Sequence, residues 1–291
     1  MQGAIEKAAT LIEALNYIRQ FRDKTIVVKV GGSFLDDDDA RRSVLTDIAF
    51  MRIVGIRPVL VHGGGPAISQ AMKQANIEPV FVHGLRVTDA DTLSIVQDVL
   101  INTINRGLVD ELRAVHPQVE PIHPRSRPVL KAERETATDA KGHPVDLGFV
   151  GSVTEVDTWI LSRLTSEGVI PVIAPLGLGD DGQVYNVNAD TVASRVAVAM
   201  KAEKIVNVSD THGIRTDPDD PESLASSLKR AEIEAMIASG KISGGMIPKV
   251  QCCLASVQGG VRKAHIIDGR IKHSLLLEIY TAQGIGTEIV P

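Results

Sequence analysis

The sequence predicts an α/β protein whose central sheet is mostly parallel and is covered by helices on both faces. From Thr25 onward, short β-branched runs alternate with longer segments of helical periodicity, and this alternation is typical of parallel sheets. Two of these runs end in glycine-rich turns that lead into a helical pattern. The 291 residues are 44% hydrophobic, which is enough to build a large core in one domain or in two lobes.

The spacing of apolar residues predicts the individual elements. A first helix is predicted over 4–21, and two interpretations remain open: it packs on its own domain, or it is an arm that docks on another subunit. The other helices are predicted at 38–54, 66–75, 89–113, 157–167, 188–201, 230–239, 246–258 and 273–280. The strands are predicted at 25–30, 56–62, 169–174, 204–209 and 264–268.

The segments between these elements carry weaker signals. Residues 78–88 resemble a hairpin, and Thr88 with Asp91 predicts a capping-box start for the helix that follows. The proline-rich and histidine-containing segment 114–146 is expected to be an irregular loop. Proline and glycine cluster over 175–185, where we expect the boundary between two lobes.

Composition excludes several classes of protein. A net charge of −5 and an aromatic content of 3% argue against a nucleic-acid binder, which needs a basic face and stacking platforms. No apolar run reaches the length of a membrane span, and the charged N-terminus is not a signal peptide. The adjacent Cys252 and Cys253 cannot form a C-x-x-C metal motif, and no metal ligands are assigned. This cysteine usage favours the reducing cytoplasm.

The two glycine-rich turns are the most informative feature. The first places Gly31 and Gly32 just after Lys29, and the second is the run Gly63–Gly65 after His62. Glycines let the backbone approach a ligand, and the next helix offers unpaired N–H groups to anions. Two such turns in one βαβ unit suggest two neighbouring anionic groups and therefore phosphoryl transfer. The alternatives are a tight turn with a solvated lysine and a hydrogen-bonded histidine at a strand end.

Three further segments contain side chains suited to anionic ligands. Arg86 in the hairpin is suited to a carboxylate, although it could equally be a surface arginine. Asn186, Asn188 and Asp190 precede an apolar helix, and any of them could be a helix cap. Lys249 follows a glycine turn at a helix start, where an exposed helical lysine is the alternative interpretation.

Taken in order, these segments resemble the amino acid kinase family. The resemblance covers nearly the whole chain and is carried by the ordered motifs VKVGGS, VLVHGGGP, GLRVTDADT, DLGFVGSV, YNVNADTVA, VNVSD, GGMIPKV and HSLLLEIYTAQGIGTEIV. It implies an open αβα sandwich with an acceptor lobe and an ATP lobe. It also implies transfer of the γ-phosphoryl group of ATP, with Mg²⁺, to the γ-carboxylate of N-acetyl-L-glutamate in arginine biosynthesis. A carboxylate is already ionised at neutral pH, so no general base is required.

The resemblance also implies roles for individual residues. Lys29 and Lys249 would flank the transferred group, and Asp190 would orient both lysines. The acceptor would be bound by Gly64, Gly65, Arg86, Asn186 and, less specifically, Asn188. The nucleotide would be bound by Gly31, Gly32, Asp210, His212, Gly213, Ile214, Lys241, Ser243 and Gly244.

The family further suggests lobes, assembly and regulation. The implied division is an oligomerisation helix over 1–22, an acceptor lobe over 23–178 and a nucleotide lobe over 179–291. Members with such a helix form hexamers, as trimers of dimers, and are inhibited by arginine. The matching effector residues are Tyr17, Lys204, His273, Glu278 and Gly284. Two alternatives remain: a kinase for a related amino-dicarboxylate such as an aminoadipate derivative, and a catalytically silent module that senses arginine.

Overall fold

A computed structural model describes residues 2–138, 143–281 and 284–291. It does not describe the side chains of residues 2–8, 10, 11, 33 and 34. Met1 of the predicted oligomerisation helix and residues 139–142 of the predicted loop therefore lie outside the described residues. The part of the chain that is described contains no helix long and apolar enough to cross a membrane.

The strands of the described residues form one large sheet, one smaller sheet and two short hairpins. In chain order they are β1 (Thr25–Val30), β2 (Arg57–His62), β3 (Phe81–Val82), β4 (Leu85–Arg86), β5 (Val119–Ile122), β6 (Leu130–Arg134), β7 (Ala137–Thr138), β8 (Pro144–Val145), β9 (Gly151–Val156), β10 (Ile170–Ile173), β11 (Leu176–Leu178), β12 (Val184–Asn186), β13 (Lys204–Ser209), β14 (Ser227–Lys229), β15 (Lys263–Asp268) and β16 (Thr287–Val290).

The large sheet has eight strands in the order β14-β16-β15-β13-β1-β2-β10-β5. The six strands from β15 to β5 are parallel, whereas β16 pairs antiparallel with β15. The predicted mostly parallel sheet is therefore confirmed. A four-stranded sheet, β12-β11-β6-β9, lies beside it.

Helices cover both faces of the large sheet, which confirms the predicted sandwich. They are α1 (Gln2–Phe21), α2 (Asp38–Ile53), α3 (Gly65–Gln74), α4 (Ala90–Gln97), α5 (Arg106–Val115), α6 (Thr158–Ser166), α7 (Ala189–Ala199), α8 (Arg230–Ala238), α9 (Met246–Gln258) and α10 (Ser274–Tyr280). Residues of α1, α2, α5 and α10 share one apolar cluster with Val28 and Leu60 of the sheet. Residues of α6 to α9 share another with Val27 and Val61. Alternate residues of each strand thus face opposite helical layers.

The long helix predicted over 89–113 is interrupted rather than uniform. Asp98–Asn105, between α4 and α5, is a π-helical segment, a geometry that is rare and frequent at functional sites. The predicted capping box is wrong, because Asp89 is the N-cap and its carboxylate accepts a hydrogen bond from the Thr92 N–H at 2.8 Å. Thr88 is buried instead, and its hydroxyl donates to the Arg86 carbonyl.

The prediction of an irregular loop over 114–146 is wrong. Outside residues 139–142, this segment supplies the edge strand β5 of the large sheet, the inner strand β6 of the small sheet and the β7–β8 hairpin. These strands were not predicted because the segment contains several prolines, and proline within an apolar run argues against a strand. Pro121 is tolerated because it lies in an edge strand. The hairpin predicted over 78–88 is confirmed as β3–β4, with His83 and Gly84 at positive φ in its turn.

Candidate active site

The two glycine turns lie side by side at the carboxyl ends of adjacent strands. The Gly63 N–H donates to the Val30 carbonyl at 2.7 Å, and the Gly31 N–H donates to the Val208 carbonyl at 3.2 Å. A Cβ added to Gly31 would lie 2.7 Å from Lys29 Nζ, and one added to Gly32, at φ +107°, would lie 3.3 Å from the Asp210 carboxylate. Glycine is favoured at Gly32, because other residues rarely adopt this positive φ, and at Gly31 a side chain would displace the Lys29 ammonium group.

Lys29 lies at the centre of this edge and is not a solvated lysine. It is 6% exposed on β1, and its Nζ is 2.8 Å from Asp190 Oδ1 at the start of α7. Asp190 belongs to the chain beyond the predicted lobe boundary, so this ion pair joins the two predicted lobes. Lys29 and Asp190 together place a fixed cation and its counter-ion beside both glycine turns.

A cavity of about 280 Å³ unites the residues predicted to bind the acceptor. Its lining includes Lys29, Asp190 and both glycine turns. It also includes the predicted acceptor ligands Gly64, Gly65, Arg86, Asn186 and Asn188. The sequence therefore predicted correctly that these distant segments lie together, whereas their individual roles remain predictions. Gly31 and Gly32, predicted for the nucleotide, line this cavity as well.

Arg86 is buried, which excludes the surface interpretation. It is 8% exposed, and its guanidinium donates to Ser69 Oγ at 2.8 Å and to the Gly65 carbonyl at 3.1 Å. The ring of Phe81 lies 4.7 Å below it. Burial lowers the pKa of Arg86, and among the described residues no carboxylate lies within ion-pair distance. A buried guanidinium without a counter-ion is prepared to bind an anion.

The two asparagines have different local bonds. Asn188 is the N-cap of α7, because its Oδ1 accepts hydrogen bonds from the N–H groups of Asp190 and Thr191 at 2.8 and 3.1 Å. This bond holds Asp190 in the first turn of the helix. Asn186 donates instead to the Thr88 hydroxyl at 3.1 Å, and its own N–H donates to the Phe149 carbonyl. Both side chains still line the cavity.

His62 is a buried, hydrogen-bonded residue at a strand end, as the simpler interpretation of the sequence holds. It is fully buried, and its ring nitrogens contact the Gly63 carbonyl at 3.0 Å and Asn105 Nδ2 at 3.1 Å. Burial lowers the pKa of His62 to about 4. The imidazole is therefore neutral at physiological pH.

We expect His62 to make the protein sensitive to mild acid. Because its pKa is lower in the folded state than in the unfolded chain, the unfolded chain binds more protons between pH 4 and 6.5. The free energy of unfolding therefore falls as the pH drops through this window, by about 2.5 kcal/mol between pH 7 and 4.5. Urea unfolding of the wild type and of His62→Asn at the two pH values measures this effect. Asparagine does not titrate in this range, so the free energy of unfolding of the variant should fall less between pH 7 and 4.5. An equal loss in both proteins would contradict the assignment.

A second cavity of about 450 Å³ collects most of the residues predicted for the nucleotide. Those in its lining are Asp210, His212, Gly213, Ile214, Lys241 and Ser243. Gly244, also predicted, is exposed and is not among the lining residues. The loop is fixed from behind, since the Ile214 N–H donates to Thr287 Oγ1 at 2.8 Å. Asp210 lies beside Gly32 of the first cavity, since a Cβ added to Gly32 would be 3.3 Å from its carboxylate.

Sequence reasoning missed Arg270, which also lines the second cavity. Its guanidinium is held by buried Asp268, with Nη2 2.6 Å from Oδ2 and Nε 2.9 Å from Oδ1. His212 Nδ1 lies 3.1 Å from the same carboxylate. The sequence did contain a signal for this pair: Asp268 ends a β-branched run, and Asp210, which was predicted for the site, follows another such run.

Lys249 does not join the Lys29–Asp190 pair in this structure. It is half-buried on α9, and no acidic oxygen of the described residues lies within 4.0 Å of its Nζ. It lies three residues before Cys252, whose Sγ donates to the Asp190 carbonyl at 2.9 Å. Residues three apart share a helix face, so Lys249 is on the side of α9 that faces the start of α7.

A third cavity of about 950 Å³ lies at the far end of the molecule and contains four of the five predicted effector residues. They are Tyr17, Lys204, Glu278 and Gly284. His273 lies elsewhere, with its Nδ1 2.7 Å from buried Asp47. His265 lines the cavity and was missed, and its Nδ1 is 2.6 Å from Glu278 Oε1.

Comparison with known proteins relates the chain to the amino acid kinase family and to acetylglutamate kinases. The model of the amino acid kinase family matches residues 24–268. The acetylglutamate kinase of Symbiobacterium thermophilum is 50% identical over 290 residues, which cover 99% of both chains. The acetylglutamate kinases of Moorella thermoacetica and Pelotomaculum thermopropionicum are 44% and 45% identical over 98–99% of each chain.

Solved structures agree on the fold. N-acetylglutamate synthase from Neisseria gonorrhoeae, complexed with coenzyme A and N-acetyl-glutamate, superposes with a TM-score of 0.87 at 27% identity over 98% of this chain. This chain spans 63% of that synthase. The carbamate kinase of Giardia has a TM-score of 0.67 at 14% identity, over 92% of this chain and 99% of that one, and this likeness shows the fold alone.

Proposed function

Because the chain belongs to the amino acid kinase family, we propose that it transfers the γ-phosphoryl group of ATP to the γ-carboxylate of N-acetyl-L-glutamate in arginine biosynthesis. Its relatives at 43–50% identity are acetylglutamate kinases over nearly their full length. One observation of the molecule carries the proposal: the Lys29–Asp190 pair, two glycine turns and an uncompensated Arg86 line a single cavity.

The proposed reaction requires no general base from the site. The acceptor carboxylate is ionised at neutral pH, so the site needs to position the reactants and to stabilise charge on the phosphoryl oxygens. We propose that Lys29 and Lys249 contact the transferred group and that Asp190 orients Lys29. Arg86, Gly64, Gly65, Asn186 and Asn188 would bind the acceptor. The loop around Gly213, with Lys241 and Ser243, would bind the nucleotide.

The lobes and the cofactor follow from the same proposal. We assign 23–178 to the acceptor and 179–291 to the nucleotide, although Asn186 to Asp190 reach across into the acceptor cavity. Mg²⁺ would neutralise the phosphates of ATP. Asp210 lines the second cavity beside Gly32 of the first, and a carboxylate is a ligand type that Mg²⁺ prefers. The two free, buried cysteines are compatible with the reducing cytoplasm, where we place the protein.

An acceptor comparison tests the function. With ATP and Mg²⁺, we expect acyl phosphate, trapped as a hydroxamate, from N-acetyl-L-glutamate, and at least about 10²-fold lower kcat/KM with the aminoadipate homologue. Arg86→Gln should raise the KM for the acceptor at least about 10-fold while leaving the KM for ATP unchanged, since it removes a charge-assisted hydrogen bond. Preference for the longer acceptor would contradict the proposed substrate.

We further propose that the third cavity binds arginine and that α1 takes part in assembly. The cavity is lined by the carboxylates of Glu203, Glu278 and Glu288, which pair with the basic side chains of Arg262, His265 and Lys263. A guanidinium would exchange with these cations, and the ring of Tyr17 would cover its aliphatic stem. Tyr17 also packs edge-to-face on Tyr280, with ring centroids 6.3 Å apart. Ile12 on the same helix is 68% exposed, which fits a helix that docks on another subunit.

Two measurements check these proposals. Tyr17→Ala should raise the arginine concentration for half-inhibition at least about 5-fold, through lost packing, while activity without arginine is retained.

Deletion of residues 1–21 should lower the mass in light scattering from that of a hexamer to that of a smaller oligomer. Unchanged inhibition would refute the effector site, and an unchanged mass would refute the role of the helix.

A further inference from the structure

A chain of hydrogen bonds leads from the sheet to the second glycine turn, and the proposed function does not use it. Asn105 Nδ2 donates to the Val172 carbonyl at 2.9 Å and lies 3.1 Å from His62 Nε2. His62 Nδ1 lies 3.0 Å from the Gly63 carbonyl. Asn105 and His62 are both fully buried, so water does not compete for these bonds.

The direction of every bond in this chain is determined by its first member. The Val172 carbonyl can only accept, so the Asn105 amide must present its NH₂ group there. The same NH₂ group faces His62 Nε2, which must therefore be the acceptor nitrogen of a neutral ring. The proton of His62 is then on Nδ1, and it is donated to the Gly63 carbonyl.

Asn105 occupies a position that destabilises the fold, and we attribute its presence there to the hydrogen bonds that its NH₂ group donates. Asn105 ends the π-helical segment Asp98–Asn105, which departs from regular helical geometry. Its Oδ1 is buried and has no hydrogen-bond partner among the described residues. A buried acceptor without a partner destabilises the fold, because it has lost its hydrogen bonds to water and gained none in the protein. The benefit that balances this loss of stability is the fixed position of the proton on His62.

The bond to Gly63 sets the orientation of the next peptide group. In a trans peptide, the Gly63 carbonyl and the Gly64 N–H point in opposite directions. His62 shares the face of the sheet that carries Leu60 and Val30, whereas Lys29 is in register with Val61 on the opposite face. Holding the Gly63 carbonyl on the side of His62 therefore directs the Gly64 N–H toward the face that carries Lys29.

We propose that His62 and Asn105 are positioning residues that aim the Gly64 N–H at the negative charge developing in the cavity of Lys29 and Asp190. This inference rests on the proposed phosphoryl transfer. Neither side chain touches the reactants, and both act through the Gly63–Gly64 peptide. A donor aimed in advance at developing charge stabilises the transition state without reorganisation.

Two substitutions of His62 separate positioning from packing. His62→Leu fills the space but donates no hydrogen bond, whereas His62→Asn retains an N–H near the position of Nδ1. We expect kcat to fall about 30-fold or more in His62→Leu and less than about 5-fold in His62→Asn, with the KM for ATP unchanged in both. Rates are compared well below the unfolding temperature of each variant. Equal kcat values in the two variants would overturn the proposal.

A measurement without substrate tests the hydrogen-bond chain itself. We expect ¹⁵N NMR of the wild-type chain to show His62 protonated on Nδ1 and bare on Nε2, and Asn105→Ala to abolish this preference and lower kcat. Exposed Asn102, in the same π-helical segment, provides the control Asn102→Ala, which should retain the wild-type kcat. A proton on Nε2 would overturn the inference. Absence of turnover in the wild type would overturn the proposed function, while the NMR result would still decide the bond directions.

Discussion

Lys29→Met is expected to lower kcat by about 10³-fold, the largest loss that we predict for a single substitution. The ammonium group lies beside both glycine turns, so its charge is available to the transferred phosphoryl group without rearrangement. Removing a fixed donor from such a site typically costs 10²- to about 10³-fold in kcat. Steady-state kinetics with N-acetyl-L-glutamate and ATP measure the loss.

The same substitution is expected to destabilise the fold, and this effect must be separated from the catalytic one. Without Lys29, the largely buried carboxylate of Asp190 loses its counter-ion, at a cost of about 3 kcal/mol. Replacing both partners, in Lys29→Met with Asp190→Leu, should restore most of the stability, since an apolar pair leaves no buried charge. The double variant should remain inactive. Recovery of kcat together with stability would show that the ion pair is purely structural.

Lys249→Ala is expected to lower kcat at least about 10²-fold with little change in stability. Lys249 is half-buried and forms no ion pair with the described residues, so its removal leaves no partner behind. We attribute the expected loss to the charge that Lys249 would supply to the transferred group in the transition state. Thermal unfolding and steady-state kinetics on the same preparation measure both effects.

The control for Lys249 is Lys73→Ala on α3, another helical lysine, which is exposed and outside the cavities. It should retain wild-type kcat and KM. If Lys249→Ala showed the same behaviour as this control, Lys249 would have no part in the chemistry. Lys29→Met and Lys249→Ala are thus both expected to lower kcat, whereas only Lys29→Met is expected to lower the free energy of unfolding. Packing effects alone do not produce this combination.

Local sequence patterns were sufficient to predict the frame of the molecule. The strands β1, β2, β10, β13 and β15 and most helices have the predicted bounds within about two residues, because apolar periodicity is a local property of the chain. The meeting of Arg86, Asn186 and Lys29 in one cavity was also predicted, but through the order of the motifs and not through periodicity. The individual roles of these residues remain predictions.

The failures have a common physical cause, which is dependence on distant contacts. β5 is stabilised by pairing with β10, and nothing in its proline-containing sequence indicates that partner. His265 and His273 both precede Glu278, and only the fold shows that His265 contacts it while His273 pairs with Asp47. The π-helical segment and the bonds of Asn105 depend on packing against β2 and β10, so sequence periodicity does not report them.

The placement of the two cavities on either side of β1 has a consequence for changing the substrate. The second cavity, proposed for the nucleotide, is lined by residues that follow β13 and β15 and by the segment 241–246, whereas the first, proposed for the acceptor, is lined by residues that follow β1, β2 and β12 and by the β3–β4 hairpin. Lys29, Gly31 and Gly32 line the first cavity, and Gly32 also lies beside Asp210 of the second, so the carboxyl end of β1 is next to both. Adjacent strands are about 4.8 Å apart, so in the proposed reaction the sheet itself would set the distance between donor and acceptor. Redesign of the acceptor specificity can therefore be confined to the β3–β4 and β11–β12 hairpins, with the phosphoryl-donor half of the enzyme left intact.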